Sequence, residues 1–185
     1  PVRYGFGYGL SYTDFEITGC ALKAVSAEKI RVTATVRNTG NVSGKEVVQV
    51  YASLPGGILE KEAHRLAAYA KTNELKPGEA QEVTMEVKMD GLTSYDEKRA
   101  AWILESGFYG IWVGNSLASA KLCGGIKLDQ EVIRRQVRNL FPLKQELEEI
   151  SKEASKTAKR AAAAAQQAKE EELTVLNIRG ADIAT

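Results

Sequence analysis

An antiparallel β-sandwich followed by a long α-helix, a mainly β architecture, is what this sequence of 185 residues predicts. Three observations predict it. Apolar and polar side chains alternate through residues 30–36 and again through 83–89, the period of a strand with one buried face. Turn-forming clusters recur roughly every 8–15 residues with no helical pattern between them. Beyond Pro142 the spacing changes to steps of three and four and the composition turns to alanine.

Taken in order, Phe15, Ile17 and Leu22 mark a first strand. In residues 30–36, Ile30, Val32, Ala34 and Val36 share one face, with Arg31, Thr33 and Thr35 on the other. Asn38, Gly40 and Asn41 tolerate positive φ and supply the turn. Residues 47–52 form the next strand, and Pro55-Gly56-Gly57 breaks it. Residues 66–71 make a short run, and Lys76-Pro77-Gly78-Glu79 places a proline at the first central position of a turn. Val83, Met85, Val87 and Met89 then alternate with Thr84, Glu86 and Lys88. Residues 102–104 and 108–113 follow on either side of Ser106-Gly107, and 117–128 are expected to stay extended. Seven or more such strands argue for a sandwich of the immunoglobulin or fibronectin type III sort.

After Pro142, Leu143, Leu147, Ile150, Ala154, Ala158 and Ala161 form the stripe of an amphipathic helix. Alanine, the best helix former, dominates residues 154–168. A helix over 143–172 extends about 45 Å. Its alanine face suits a flat surface while burying little apolar area, and an exposed rod is the alternative. Residues 173–179 alternate again and read as a strand without an obvious partner. The organisation expected is therefore a lead-in at 1–13, a sandwich at 14–138, and a helical connector and tail at 139–185. The proline at position 1 and the unmarked stop at Thr185 read as the ends of a fragment.

Composition excludes several function classes. The formal net charge is +1, so no basic or acidic excess points to nucleic acid or to an anionic membrane surface. No apolar run reaches the roughly 18 residues of a membrane span. Cys20 and Cys123 are too few for a disulfide framework or a zinc site, and buried free thiols are the expectation for them. Their scarcity leans toward a cytoplasmic setting. The single histidine, His64, lies in a polar stretch and reads as a solvated side chain. No phosphate-binding loop is present, and Gly5, Gly7 and Gly9 lack the strand and helix a dinucleotide site needs. No cofactor or metal is expected.

The opening segment sets Tyr4, Phe6, Tyr8 and Tyr12 among glycines. These rings are expected chiefly to pack against a neighbouring domain, and Tyr4, Phe6 and Tyr8 are the candidates for stacking on sugar. Trp102 and Trp112 are expected in core or interface packing, with Trp112 and Gly110 on the opposite face from Ile111 and Val113. The carboxylates Asp14, Glu46, Asp96 and Glu105 sit beside turns or strand ends and read as solvated or turn-capping groups.

In this frame residues 6–15, Phe-Gly-Tyr-Gly-Leu-Ser-Tyr-Thr-Asp-Phe, resemble the segment by which family 3 glycoside hydrolases, the β-glucosidase family, enter their fibronectin type III-like domain. Residues 36–40, Val-Arg-Asn-Thr-Gly, and 44–51, Gly-Lys-Glu-Val-Val-Gln-Val-Tyr, are similar to that domain's central strands. Residues 66–72 and 75–79 resemble the next strand and turn. Leu92, Tyr95-Asp96, Trp102 and residues 107–116 resemble its last strands.

The resemblance implies a parent enzyme that hydrolyses β-linked sugars with retention, through two carboxyls about 5–5.5 Å apart. It places the nucleophile on a (β/α)8 barrel and the acid/base on a separate α/β domain. Those domains are the expected partners, and β-glucoside oligosaccharides would meet the chain through the parent's active site. No βα alternation occurs before Pro142, so no catalytic residue is carried over. The helix after the sandwich fits a circularly permuted order, in which a connector leads on to the barrel; an extension that mediates homo-oligomers is the alternative. The function expected is an ancillary, non-catalytic buttress, against a stand-alone carbohydrate-binding or self-associating module.

Overall fold

The computed structural model describes residues 2–140 and 154–183. Among these described residues, eleven strands form three sheets and one α-helix accompanies them. β1 (Phe15–Ser26), β2 (Lys29–Asn38) and β5 (Ala80–Lys88) make an antiparallel sheet in the order β1-β2-β5. Facing it, β3 (Val47–Ser53), β4 (Arg65–Lys71), β8 (Gly107–Gly114), β9 (Lys121–Leu128) and β11 (Thr174–Ile178) form a five-stranded sheet, β11-β9-β8-β3-β4. A small sheet, β10-β7-β6, uses Val132–Gln136, Ala101–Leu104 and Ser94–Asp96.

The alternation read from the sequence is what builds the core. Ile30, Val32, Ala34 and Val36 of β2 are fully buried, and Val83, Met85 and Val87 of β5 lie beside them. From the opposite sheet Val48, Val50 and Ala52 of β3 and Tyr109, Ile111 and Val113 of β8 close the same core. Inward-facing residues of the two sheets thus meet in one apolar layer, as in a sandwich. Residues 117–120 depart from the expected extended run. There Ser116 Oγ and Ser119 Oγ bind each other, and each accepts from the other residue's backbone N–H, so β9 starts only at Lys121.

The cysteines also depart from expectation. Cys20 and Cys123 are joined in a disulfide with their Cα atoms 5.8 Å apart, within the span such a bond requires. Each lies in a β-bulge. Pairing of β1 with β2 skips from Thr18 to Ala21, and pairing of β9 with β8 skips from Leu122 to Gly124. A bulge inserts a residue and re-aims a side chain. Here two bulges turn two sulfurs toward each other from opposite sheets, which simple alternation does not reveal.

Helix α1 spans Ala154–Glu170; the part of the expected helix before residue 154 lies outside the described residues. It does not stand as a rod. Ala164 and Ala168 are buried against Leu122, with Phe108, Trp112, Leu173 and Val175 packed around them. Ala161 is buried as well. Gly110 makes the approach close: a Cβ there would sit 3.3 Å from Ala164 Cβ and 2.6 Å from Ser53 Oγ. The helix stops in a paired cap. Glu172 takes φ +51°, Glu172 N–H donates to Lys169 O at 3.2 Å, and Leu173 N–H donates to Ala168 O at 2.8 Å. The chain then enters β11, which pairs parallel with β9 from Thr174 to Ile178. The crossover through α1 explains why that partner was not legible locally.

Candidate functional site

The aromatic lead lies across one end of the five-stranded sheet. Phe6 O accepts from Leu117 N–H at 3.1 Å, and Gly7 O accepts from Gln49 Nε2 at 3.0 Å. Gln49 Nε2 also donates to Asn115 O at 2.7 Å, so one amide ties the lead to the end of the sheet. The Tyr51 hydroxyl donates to Gln49 Oε1 and fixes that amide's orientation. Burial raises the Tyr51 phenol above its ordinary pKa and keeps it a donor.

Tyr4 and Tyr8 stack at 4.9 Å with 26° between planes, Arg3 lies 5.7 Å above the Tyr4 ring, and Phe6 meets Tyr51 edge-on at 6.2 Å. Tyr4, Phe6 and Tyr8 nevertheless remain 59%, 62% and 51% exposed. Beside them a groove of about 590 Å³ is lined by Tyr8, Lys45, Glu46, Gln49, Lys71 and Asn115. The arrangement offers flat rings beside amides and charges, and the lead is held in place by backbone hydrogen bonds.

Three of the four candidate carboxylates, Glu46, Asp96 and Glu105, are engaged in internal hydrogen bonds. Glu46 accepts from Val47 N–H at 2.7 Å and from Asn115 Nδ2 at 3.0 Å. Asp96 caps its turn through Arg99 N–H at 3.0 Å, and hydrogen bonds from Arg99 hold its carboxyl below the usual range. Of the two expected readings for Glu105, solvated or turn-capping, the solvated one does not hold. Its carboxylate is buried, accepts from Ile58 N–H at 2.6 Å, and pairs with Lys61. Lys61 lies 44 residues away in sequence, a separation no local pattern bridges. Among the described residues no cluster of His, Cys, Asp and Glu could hold a metal ion, and no helix is long and apolar enough to cross a membrane.

The tryptophans separate. Trp112 lies in the helix–sheet interface, with Nε1–H donating to Ser53 Oγ at 3.0 Å. Trp102 is 40% exposed on β7, 5.3 Å from Tyr95, so core packing does not describe it. His64 is half-buried rather than solvated, its ring 5.3 Å from Trp112 in an edge-to-face contact. Burial first, then Arg160 on α1, lowers its pKa. A base whose folded pKa is depressed binds its proton more readily when unfolded. Stability is therefore complete above the unfolded value of about 6.5 and falls as pH drops through the window below it. Melting curves from pH 7.5 to 5 should show that loss, and His64→Gln should flatten it; equal slopes in the two proteins would dismiss the assignment.

Residues 46–117 match the model of the fibronectin type III-like domain. The chain is 41% identical over 157 aligned residues to β-glucosidase A of Butyrivibrio fibrisolvens, covering 75% of this chain and 19% of the relative. It is 40% identical to a β-glucosidase of Ruminococcus albus, covering 77% and 15%. Among solved structures, β-glucosidase 3B of Thermotoga neapolitana in complex with glucose superposes with a TM-score of 0.65 at 40% identity, covering 70% of this chain and 18% of that one. The chain thus spans less than a fifth of the length of these relatives.

Proposed function

We propose that this chain, which carries the fibronectin type III-like domain of the family 3 glycoside hydrolases, is an ancillary and non-catalytic part of a β-glucosidase-like enzyme. The observation that carries this reading is the extent of the match, three quarters of this chain against less than a fifth of each relative. The engagement of Glu46, Asp96 and Glu105 in internal hydrogen bonds supports a non-catalytic role. The catalytic carboxylates then belong to the barrel and the α/β domain of the longer protein. The sandwich, of the fibronectin type III type, buttresses them.

Tyr4, Phe6 and Tyr8 are rings still open on one side, and an exposed apolar strip of this kind marks a contact. Packing against a neighbouring domain is their main role, with sugar contact at its margin. The permuted order, with α1 as the connector, is supported by the helix that follows the sandwich.

The test is to express the longer protein with and without residues 14–138 and assay an aryl β-glucoside. Hydrolysis is expected in the intact protein, with marked loss of activity and melting temperature on deletion. Hydrolysis by the 185-residue chain alone, or an intact protein indifferent to the deletion, would overturn the reading.

A further inference from the structure

Away from the lead, the small sheet β10-β7-β6 presents a row of side chains with no role in the core. Tyr95 pairs in register with Trp102, and Trp102 with Arg135, so the three stand side by side across three strands. Cross-strand neighbours share a face and lie within reach of one another. Trp102 is 40% exposed, its ring centroid 5.3 Å from that of Tyr95. Arg135 is exposed and pairs with no carboxylate among the described residues.

The row borders a cavity of about 370 Å³ lined by Asp90, Thr93, Trp102, Arg134 and Arg135. That volume is in the range of small-molecule sites, and the lining sets four polar residues beside one aromatic wall. The polar wall is built in advance. Met89 and Leu92 are buried and anchor the turn that carries Asp90. Arg65 Nη1 donates to Thr93 O at 2.6 Å and to Gly91 O at 3.2 Å. Arg134 donates through Nε to Asp90 Oδ1 at 2.7 Å and through Nη2 to Glu28 Oε1 at 3.0 Å. The Asp90 side chain is still 69% exposed, which leaves its second oxygen open to a ligand hydroxyl.

A flat ring with a negative π-face suits the polarised C–H face of a pyranose. A carboxylate and a guanidinium at its edge suit vicinal hydroxyls, as acceptor and forked donor. We propose that the Tyr95–Trp102–Arg135 face of this sheet is a carbohydrate platform that takes a glucopyranose ring of a β-linked glucose chain. Trp102 is the stacking surface, and Asp90 and Arg135 hold hydroxyls. The choice of glucose rests on the reading of the parent as β-glucosidase-like; the platform itself rests on the geometry.

The experiment is an NMR titration of the 185-residue chain with cellotetraose and with laminaritetraose. The Trp102 indole N–H resonance is expected to move while that of Trp112 stays. Trp102→Ala should weaken binding about tenfold or more at unchanged melting temperature. No movement at millimolar sugar, or Trp102→Ala binding as wild type, would overturn the proposal. Should Trp102→Ala not fold, Arg135→Ala decides: weaker binding at unchanged melting temperature supports the platform, and unchanged binding overturns it. Binding is measured on this chain and hydrolysis on the longer protein, so failure of the platform is distinguishable from failure of the enzyme reading.

Discussion

Replacing Lys61 by alanine is expected to destabilise the chain by about 3–5 kcal/mol, the cost of leaving one partner of a buried ion pair alone. The side chains of Lys61 and Glu105 are 3% and 5% exposed. Lys61 Nζ also donates to Pro55 O at 2.9 Å, and Ile58 N–H and Leu59 N–H reach Glu105 Oε1 at 2.6 and 3.5 Å. The pair therefore closes the β3–β4 connection over the β7–β8 turn. Gly57 is part of the fit, since a Cβ there would fall 2.1 Å from Glu105 Oε1. Tyr109 Oη donates to Glu105 O at 2.7 Å, which links the same turn to the core ring. At about 2–4 °C per kcal/mol for a chain of this size, the melting temperature should fall by roughly 10 °C. Lys61→Met with Glu105→Gln should recover most of the loss, because no charge is then stranded. A Lys61→Ala protein within about 0.5 kcal/mol of wild type, the range of ordinary surface changes, would show that Glu105 is hydrated and the clasp idle.

What the sequence makes legible follows from how far apart the interacting residues lie. Period-2 alternation is local, so β2 and β5 and the parity of Ile111, Trp112 and Val113 follow from it directly. That Trp112 faces away from Ile111 and Val113 was legible; which face looks outward and the helix that covers it were not, because alanines such as Ala164 and Ala168 carry no directional signal. β6 is three residues long and too short for any period to register. The partner of β11 depends on a crossover through α1, and the Lys61–Glu105 pair on a fold that closes 44 residues. At the lead, glycine spacing and rings were visible, whereas the straps from Gln49 and Leu117 are tertiary. The exposure of Trp102 depends on the small sheet, whose strand β10 has mixed chemistry in Val132–Gln136 and no clear alternation.

The second large effect expected is at Cys20 and Cys123, where the small number of cysteines led to free thiols. The bridge closes a sequence separation of 103 residues, for which the chain-entropy account gives about 4.7 kcal/mol, and measured losses on removal run at about 2–5 kcal/mol. The fold shows why the bridge matters. β1 is the outer strand of its sheet, and Leu22 alone among its 12 residues is buried. Its hydrogen-bonded partner is β2, so the bond to β9 is the covalent tie between β1 and the opposite sheet. Removing it leaves β1 to register with β2 and to the side chains of Phe15, Ile17 and Leu22 that meet the core. A Cys20→Ser/Cys123→Ser protein should therefore melt about 10 °C lower than wild type, and dithiothreitol should lower the wild type by the same amount while leaving the double variant unmoved. Thiol titration of unreduced, denatured wild type should find no free sulfhydryl. Two free sulfhydryls, with a melting temperature insensitive to reductant, would restore the free-thiol reading and assign β1's hold on the sandwich to packing alone.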